Sequence, residues 1–140
     1  MTPNDRRAAL DVIGVKVVVL ASGTDSGTPQ ITLQSGDEGA GPPPHSHDWD
    51  ESFYVIRGRV DFACDDATTT CTAGTFVHVP AGSAHAFRFG PGGGEMLEVT
   101  GGQSRAIDLF TALAREIPPG PPDVPRVVAV GDEYGLKVHL

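Results

Sequence analysis

Between Val12 and Thr100 the apolar positions come in short, β-branched runs broken every few residues by Gly, Pro, Asp or Ser. That rhythm predicts strands at Gly14–Leu20, Gln30–Gln34, Glu51–Ile56, Val60–Cys64, Thr69–Thr72, Thr75–Val79, His85–Phe89 and Met96–Val99. No window in this stretch sustains a 3.6-residue period. Evenly spaced short strands with turn residues between them predict an all-β sandwich or barrel. Arg57-Gly58-Arg59 and Asp65-Asp66-Ala67 read as hairpin connections, with Arg57 and Arg59 solvated. Gly92-Gly93-Gly94 reads as a mobile turn, because it lacks the strand-to-helix setting of a phosphate cradle. Phe53, Phe62, Phe76 and Phe87 read as barrel core, and any pair of them lining a pocket would favour a flat or apolar ligand.

After Gly101-Gly102 the period changes. Ser104 is placed to cap a helix over Arg105–Glu116, with Ala106, Leu109, Phe110 and Leu113 on one stripe. Ile117-Pro118-Pro119 stops that helix. In the tail from Asp123 to Leu140, Val127, Val130 and Tyr134 fit a helical face ending at Gly135, although the β-branched content also suits a strand; a short helix is the expectation. The chain reads as one domain over residues 1–140, with a barrel core of about 12–100 and a C-terminal helix and tail over 104–140.

Charge narrows the partners. Ten Lys and Arg against 18 Asp and Glu leave a net charge of −8 across 140 residues. With no basic run to offset it, nucleic acid is not expected. No apolar run approaches the ~20 residues of a membrane span, and the first residues lack the apolar region of an export signal. A cytoplasmic protein is the expectation. Cys64 and Cys71 flank a predicted hairpin out of register with each other, so both read as free thiols.

The candidate chemistry sits in two windows. His45 and His47 are two apart, so on a strand both imidazoles face one way. Glu51 opens the next strand after a tight polar turn. His85 follows a strand and the Pro80-Ala81-Gly82 turn, which aims it back inward. Three imidazoles and a carboxylate form a mixed N/O set suited to one divalent transition metal (Fe, Mn, Co, Ni, Cu or Zn) rather than Ca or Mg.

These windows read Gly39-x5-His45-x-His47-x3-Glu51-x6-Gly58 and Gly74-x5-Pro80-x-Gly82-x2-His85. Together they resemble the two signature motifs of the cupin superfamily, in order. Residues from Thr24 to Leu33, Pro42-Pro43-Pro44, the run from Asp50 to Ile56 and the helix after Gly102 resemble single-domain bacterial cupins of the quercetin-dioxygenase-like type. The resemblance implies a double-stranded β-helix (jelly-roll) barrel of two antiparallel sheets, often a homodimer, with a short C-terminal helical segment. It also implies that His45, His47, Glu51 and His85 ligate a metal inside the barrel. One departure stands out: the second motif usually ends in Asn where this chain has Phe89, which makes that part of the barrel more apolar.

In such enzymes the carboxylate at the position of Glu51 ligates the metal, acts as a base towards substrate, or does both; for Glu51 both roles are expected. The expected activity is a dioxygenase acting on a small enolic, dicarbonyl or phenolic compound. Two other readings are a cupin isomerase, cyclase or lyase that uses metal and Glu51 without oxygen, and a non-catalytic small-molecule-binding cupin. His78 and His139 read as structural or solvent-facing, Trp49 as a rim shield and Asp50 as a turn cap. Gly14–Leu20 would be an exposed apolar edge in a lone barrel, a second reason to expect a homodimer.

Overall fold

The computed structural model describes residues 1–23 and 28–140; part of the Thr24–Leu33 resemblance falls on 24–27, outside the described residues. A short 3₁₀ turn at Pro3–Asp5 leads into β1 (Leu10–Val12), β2 (Val15–Ser22), β3 (Gln30–Gly36), β4 (His45–His47), β5 (Glu51–Cys64), β6 (Ala67–Thr72), β7 (Phe76–Val79) and β8 (His85–Thr100). Helices α1 (Ala106–Glu116) and α2 (Val124–Glu133) follow, and β9 (Leu136–Val138) ends the fold. Every strand pairing among the described residues is antiparallel. The fold is the all-β barrel with a C-terminal helical segment that the pattern predicts.

Two strands are longer than their sequence suggests. Glu51–Ile56 and Val60–Cys64 run on as one strand, and so do His85–Phe89 and Met96–Val99. Arg57-Gly58-Arg59 is therefore not a hairpin. Gly58 lies in mid-strand at φ +76, opposite Gly94, where the register shifts on either side. A Cβ there would run into the backbone of Gly93 and Gly94, so the glycine serves a bulge and a close strand crossing rather than a reversal. Gly92-Gly93-Gly94 is likewise part of β8 and not a free turn, because Gly94 is paired with both Gly36 and Gly58.

The bend divides the curled sheet. On one side the order is β1-β2-β3-β8-β5-β7; on the other it is β9-β4-β8-β5-β6. β1 covers β2 at Val15–Val17, so the exposed edge expected of Gly14–Leu20 is shortened to the residues after Val17, which pair with β3 alone. Between the layers pack Phe53, Val55, Val60, Phe62, Val79, Phe87, Phe89 and Met96. Phe89 fills the position of the missing Asn and packs against Phe87, with ring centroids 5.6 Å apart, in line with the more apolar barrel expected there. Phe76 corrects the core assignment: it is 64% exposed.

The C-terminal segment closes the barrel on the β1–β2 side. The Ser104 hydroxyl accepts from Ala106 N–H (3.3 Å) and the buried Gln30 carboxamide accepts from Ile107 N–H (3.1 Å), so the open end of α1 is satisfied from the loop and from β3. Ala106, Leu109 and Leu113 face inward, with Phe110 half-buried. In the tail, Asp123 caps α2 by accepting from Arg126 N–H, and Val127 and Val130 are buried against α1 and the barrel. The expected helix forms, but the chain then turns at Gly135 and adds β9, so both tendencies of this segment are used. Cys64 and Cys71 are free thiols, opposite Ala67 and Val60. No described helix is long and apolar enough to cross a membrane.

Candidate metal centre

All four expected ligands meet. β4 alternates His45 and His47 inward with Ser46 between them. Glu51 opens β5 and His85 opens β8, and His45 lies directly across from His85. Each of the four offers a donor atom, and these atoms all lie within 4.8 Å of one another in the barrel interior. Bonds of ~2.0–2.2 Å would set opposite donors about 4 Å apart across an ion, so small side-chain movements suffice to close the set.

The hydrogen bonds orient the three rings. His45 Nδ1 lies 2.9 Å from Pro43 O, His47 Nδ1 2.9 Å from Trp49 O, and His85 Nδ1 2.9 Å from Ser83 O. A carbonyl only accepts, so each Nδ1 carries a proton and each Nε2 is the ring nitrogen turned inward, able to offer its lone pair to a metal once it gives up any proton it shares with Glu51. Glu51 Oε1 is 3.0 Å from His85 Nε2 and 3.5 Å from His47 Nε2. Three ring nitrogens and a carboxylate facing one another in a buried space can share a cation, either a proton, as between His85 and Glu51, or a metal ion. The donors present therefore fit a divalent transition metal.

The electrostatics agree. Burial, with help from a neighbouring His85 charge, pushes His45 down to about 4. Burial alone would lower His85, but its hydrogen bond to Glu51 and the Glu51 charge raise it. Burial alone would raise Glu51, yet hydrogen bonds from Glu98, His47 and His85 hold it well below the usual carboxylate range. Glu98 goes the other way, pushed well above that range by burial and by the Glu51 charge. One carboxyl of the pair keeps the proton and donates it in a hydrogen bond to the other.

Glu98 is the residue that sequence reading missed. It is 2% exposed, accepts from Thr32 Oγ1 at 2.9 Å, and Thr32 in turn accepts from Gln34 Nε2 at 3.2 Å. The available signal was a lone acid between Leu97 and Val99, in a strand otherwise built for burial. Trp49 does more than shield: its indole stacks on His47, with centroids 4.2 Å apart and planes 6° off parallel. Asp50 Oδ1 accepts from Ala81 N–H at 2.8 Å, tying the His47–Glu51 turn to the turn that precedes His85. His78 is exposed and pairs with Ser52. His139 lies 2.8 Å from Ser46 on the outer side of β4. Neither joins the cluster.

A cavity of about 80 Å³ opens onto His45, Glu51 and Glu98. That is several times the roughly 10–15 Å³ that a single water needs. Phe53 and Phe87 both line it, the circumstance in which the sequence favoured a flat or apolar ligand.

Known proteins place this geometry. The profile of the family described as "Cupin domain" matches residues 32–100. No curated protein matches the chain. Among solved structures, an RmlC-like cupin from Shewanella frigidimarina is similar at 20% identity, over 76% of this chain and 93% of that one, with a TM-score of 0.67. The polyketide cyclase RemF from Streptomyces resistomycificus is similar at 22% identity, over 74% and 78%, with a TM-score of 0.63. KdgF from a Halomonas species is similar at 15% identity, over 74% and 90%, with a TM-score of 0.62. Motif spacing, barrel and family match agree: residues 32–100 are a cupin domain.

Proposed function

We propose that the protein is a metal-dependent dioxygenase acting on a small enolic, dicarbonyl or phenolic compound. One observation carries this reading: three histidine side chains and the Glu51 carboxylate converge on one point beside a largely apolar cavity. A bound divalent metal would supply a Lewis acid there, favouring the ionised form of an enol or phenol. Glu51 Oε1 takes the hydroxyl proton, and the Glu98 carboxyl steadies Glu51 through their hydrogen bond. The surrounding Phe and Val side chains keep bulk water from the electron-rich carbon that reacts with dioxygen.

Elemental analysis of the purified protein, paired with oxygen consumption against phenolic and dicarbonyl compounds, tests the reading. Glu51→Gln should keep most of the metal and lose at least 100-fold in turnover; wild-type turnover in that variant excludes the base role. A second reading, proton transfer without oxygen, draws support from the adjacent Glu51 and Glu98 carboxyls and from the likeness to a structure named a polyketide cyclase. Turnover that persists anaerobically selects it.

We also propose a homodimer in the cytoplasm. Two free thiols suit a reducing compartment. Phe76, Tyr54 (49% exposed) and Ile56 (43% exposed) form an apolar face outside the barrel, on a chain whose net charge of −8 otherwise favours separation.

A further inference from the structure

The cavity has two ends of different origin. Its polar end, Gln34, His45, Glu51 and Glu98, lies wholly within residues 32–100, the part matched to the cupin family. More than half of its lining comes from outside that part, from β1, β2, α1, α2, β9 and the short loop after β1, and all of that portion is apolar. Leu109, Phe110 and Leu113 of α1, Val127 of α2 and Leu136 of β9 form the wall that this chain adds to the barrel. The lining contains no Lys or Arg. Arg88 borders an adjoining outer groove instead, where its Nη1 donates to the carbonyls of Pro42 (2.6 Å) and Phe87 (2.9 Å).

We propose that this added wall selects substrates that are uncharged and apolar away from their metal-facing oxygens, and rejects compounds bearing a carboxylate or phosphate there. The proposal deepens the metal-dependent reading above and rests on it. The chemistry is direct. An anionic group at the far end would leave water for a surface of Leu, Phe and Val with no counter-ion. Burying an unpaired charge is far costlier than burying a methyl group, which gains free energy by leaving water. Substrate oxygens at the other end face the cation site and the Glu51–Glu98 pair, where polarity is met.

The test uses the Zn²⁺-loaded full chain and two ligands sharing one chelating edge: 4-methylcatechol and 3,4-dihydroxybenzoate, which carries a carboxylate in place of the methyl. Isothermal titration should show 4-methylcatechol binding at least tenfold tighter. Equal affinity, preference for the carboxylate, or binding of neither would overturn the proposal. Phe110 is only half-buried, so Phe110→Lys should fold; it should bring the two affinities within threefold or reverse them. An unchanged preference in that variant would also overturn the proposal. Because binding is read without turnover, an inactive protein that keeps the preference refutes the dioxygenase reading alone. Failure to take up Zn²⁺ refutes the metal reading before either ligand is added.

Discussion

The ladder formed by β5 and β8 has two halves, one on each side of Gly58, and they are built on opposite plans. In the half that pairs residues 60–64 with 85–89, Val60, Phe62, Phe87 and Phe89 point inward. Arg59, Asp61 and Arg88 lie outside, with Arg59 and Asp61 ion-paired at 3.1 Å. That is the ordinary arrangement for a sheet with one wet face. In the half that pairs 51–57 with 95–100, Glu51, Glu98 and Thr100 join Phe53, Val55 and Met96 inside. Outside, the registers line up Phe76, Tyr54, Leu97, Leu33 and Val18 in one apolar row across β7, β5, β8, β3 and β2. Polarity has been moved in and apolarity out within a single pair of strands. The inward polarity lies at the candidate metal centre; outside, Leu33 is already buried, and the exposed end of the row, Phe76 and Tyr54, is what the proposed partner copy would cover.

Breaking the inner plan should have the largest effect. His85→Ala removes a donor that belongs to the ordinary half yet faces Glu51. Zn²⁺ taken up per chain should fall to below a tenth of the wild-type value, measured by elemental analysis after dialysis, with the strand signal in circular dichroism retained. Uptake near wild type would show that the other three suffice.

Glu98 comes next. It contacts no ion in this proposal; it is a positioning residue that acts through its hydrogen bond to Glu51. Loss of an outer hydrogen-bond partner typically weakens metal affinity 10–100-fold, and that is the expectation for Glu98→Ala in a competitive chelator titration. Glu98→Gln, whose amide still donates to Glu51, should restore affinity to within a few-fold of wild type. If Gln and Ala behave alike, the hydrogen bond is not what matters.

On the outer face, the double substitution Tyr54→Glu and Phe76→Glu places two acids opposite each other on paired strands. Light scattering at micromolar concentration should change from a dimer mass to a monomer mass, while Zn²⁺ uptake stays near wild type. A monomeric wild-type protein would remove the proposed partner, and the apolar row would then need another occupant.

How much of this was legible in the sequence depends on parity. The four ligands lie next to turns, where spacing alone carries the information: His45 and His47 share a face by alternation, and Pro80-Ala81-Gly82 turns His85 inward. Farther along the same strands, alternation misleads. In β5 the inward positions are Glu51, Phe53 and Val55, then Val60 and Phe62; in β8 they are His85, Phe87 and Phe89, then Met96 and Glu98. Both series change from odd to even or back, because irregular residues at Gly58 and at Gly92-Gly93 (φ +81 and +74) shift the pleat by one. Without those bulges in hand, Glu98 reads as a solvent-facing acid. Phe76 misled for a simpler reason. In Phe76-Val77-His78-Val79 either pair could face inward, and only packing, with Val79 fully buried, decides.

Gly58 offers the finest test, because the change of plan between the halves depends on it. Gly74 is the natural control: both glycines belong to the sequence motifs and both have positive φ, +76 and +92. Around Gly74 there is open space for a Cβ, whereas at Gly58 the backbone of Gly93 and Gly94 occupies it. Gly74→Ala should therefore cost only the conformational strain, about 1 kcal/mol. Gly58→Ala adds a backbone clash that no side-chain rotation relieves, for a total of at least about 2 kcal/mol and a fall in Tm of roughly 5–10 °C. The two melting curves, recorded on metal-free protein, separate strain from crossing. Equal falls would mean that β5 and β8 can part at the bend, and Gly58 would then matter for its dihedral alone. A larger fall at Gly58 would show that the close passage of the two strands holds both halves in their opposite registers.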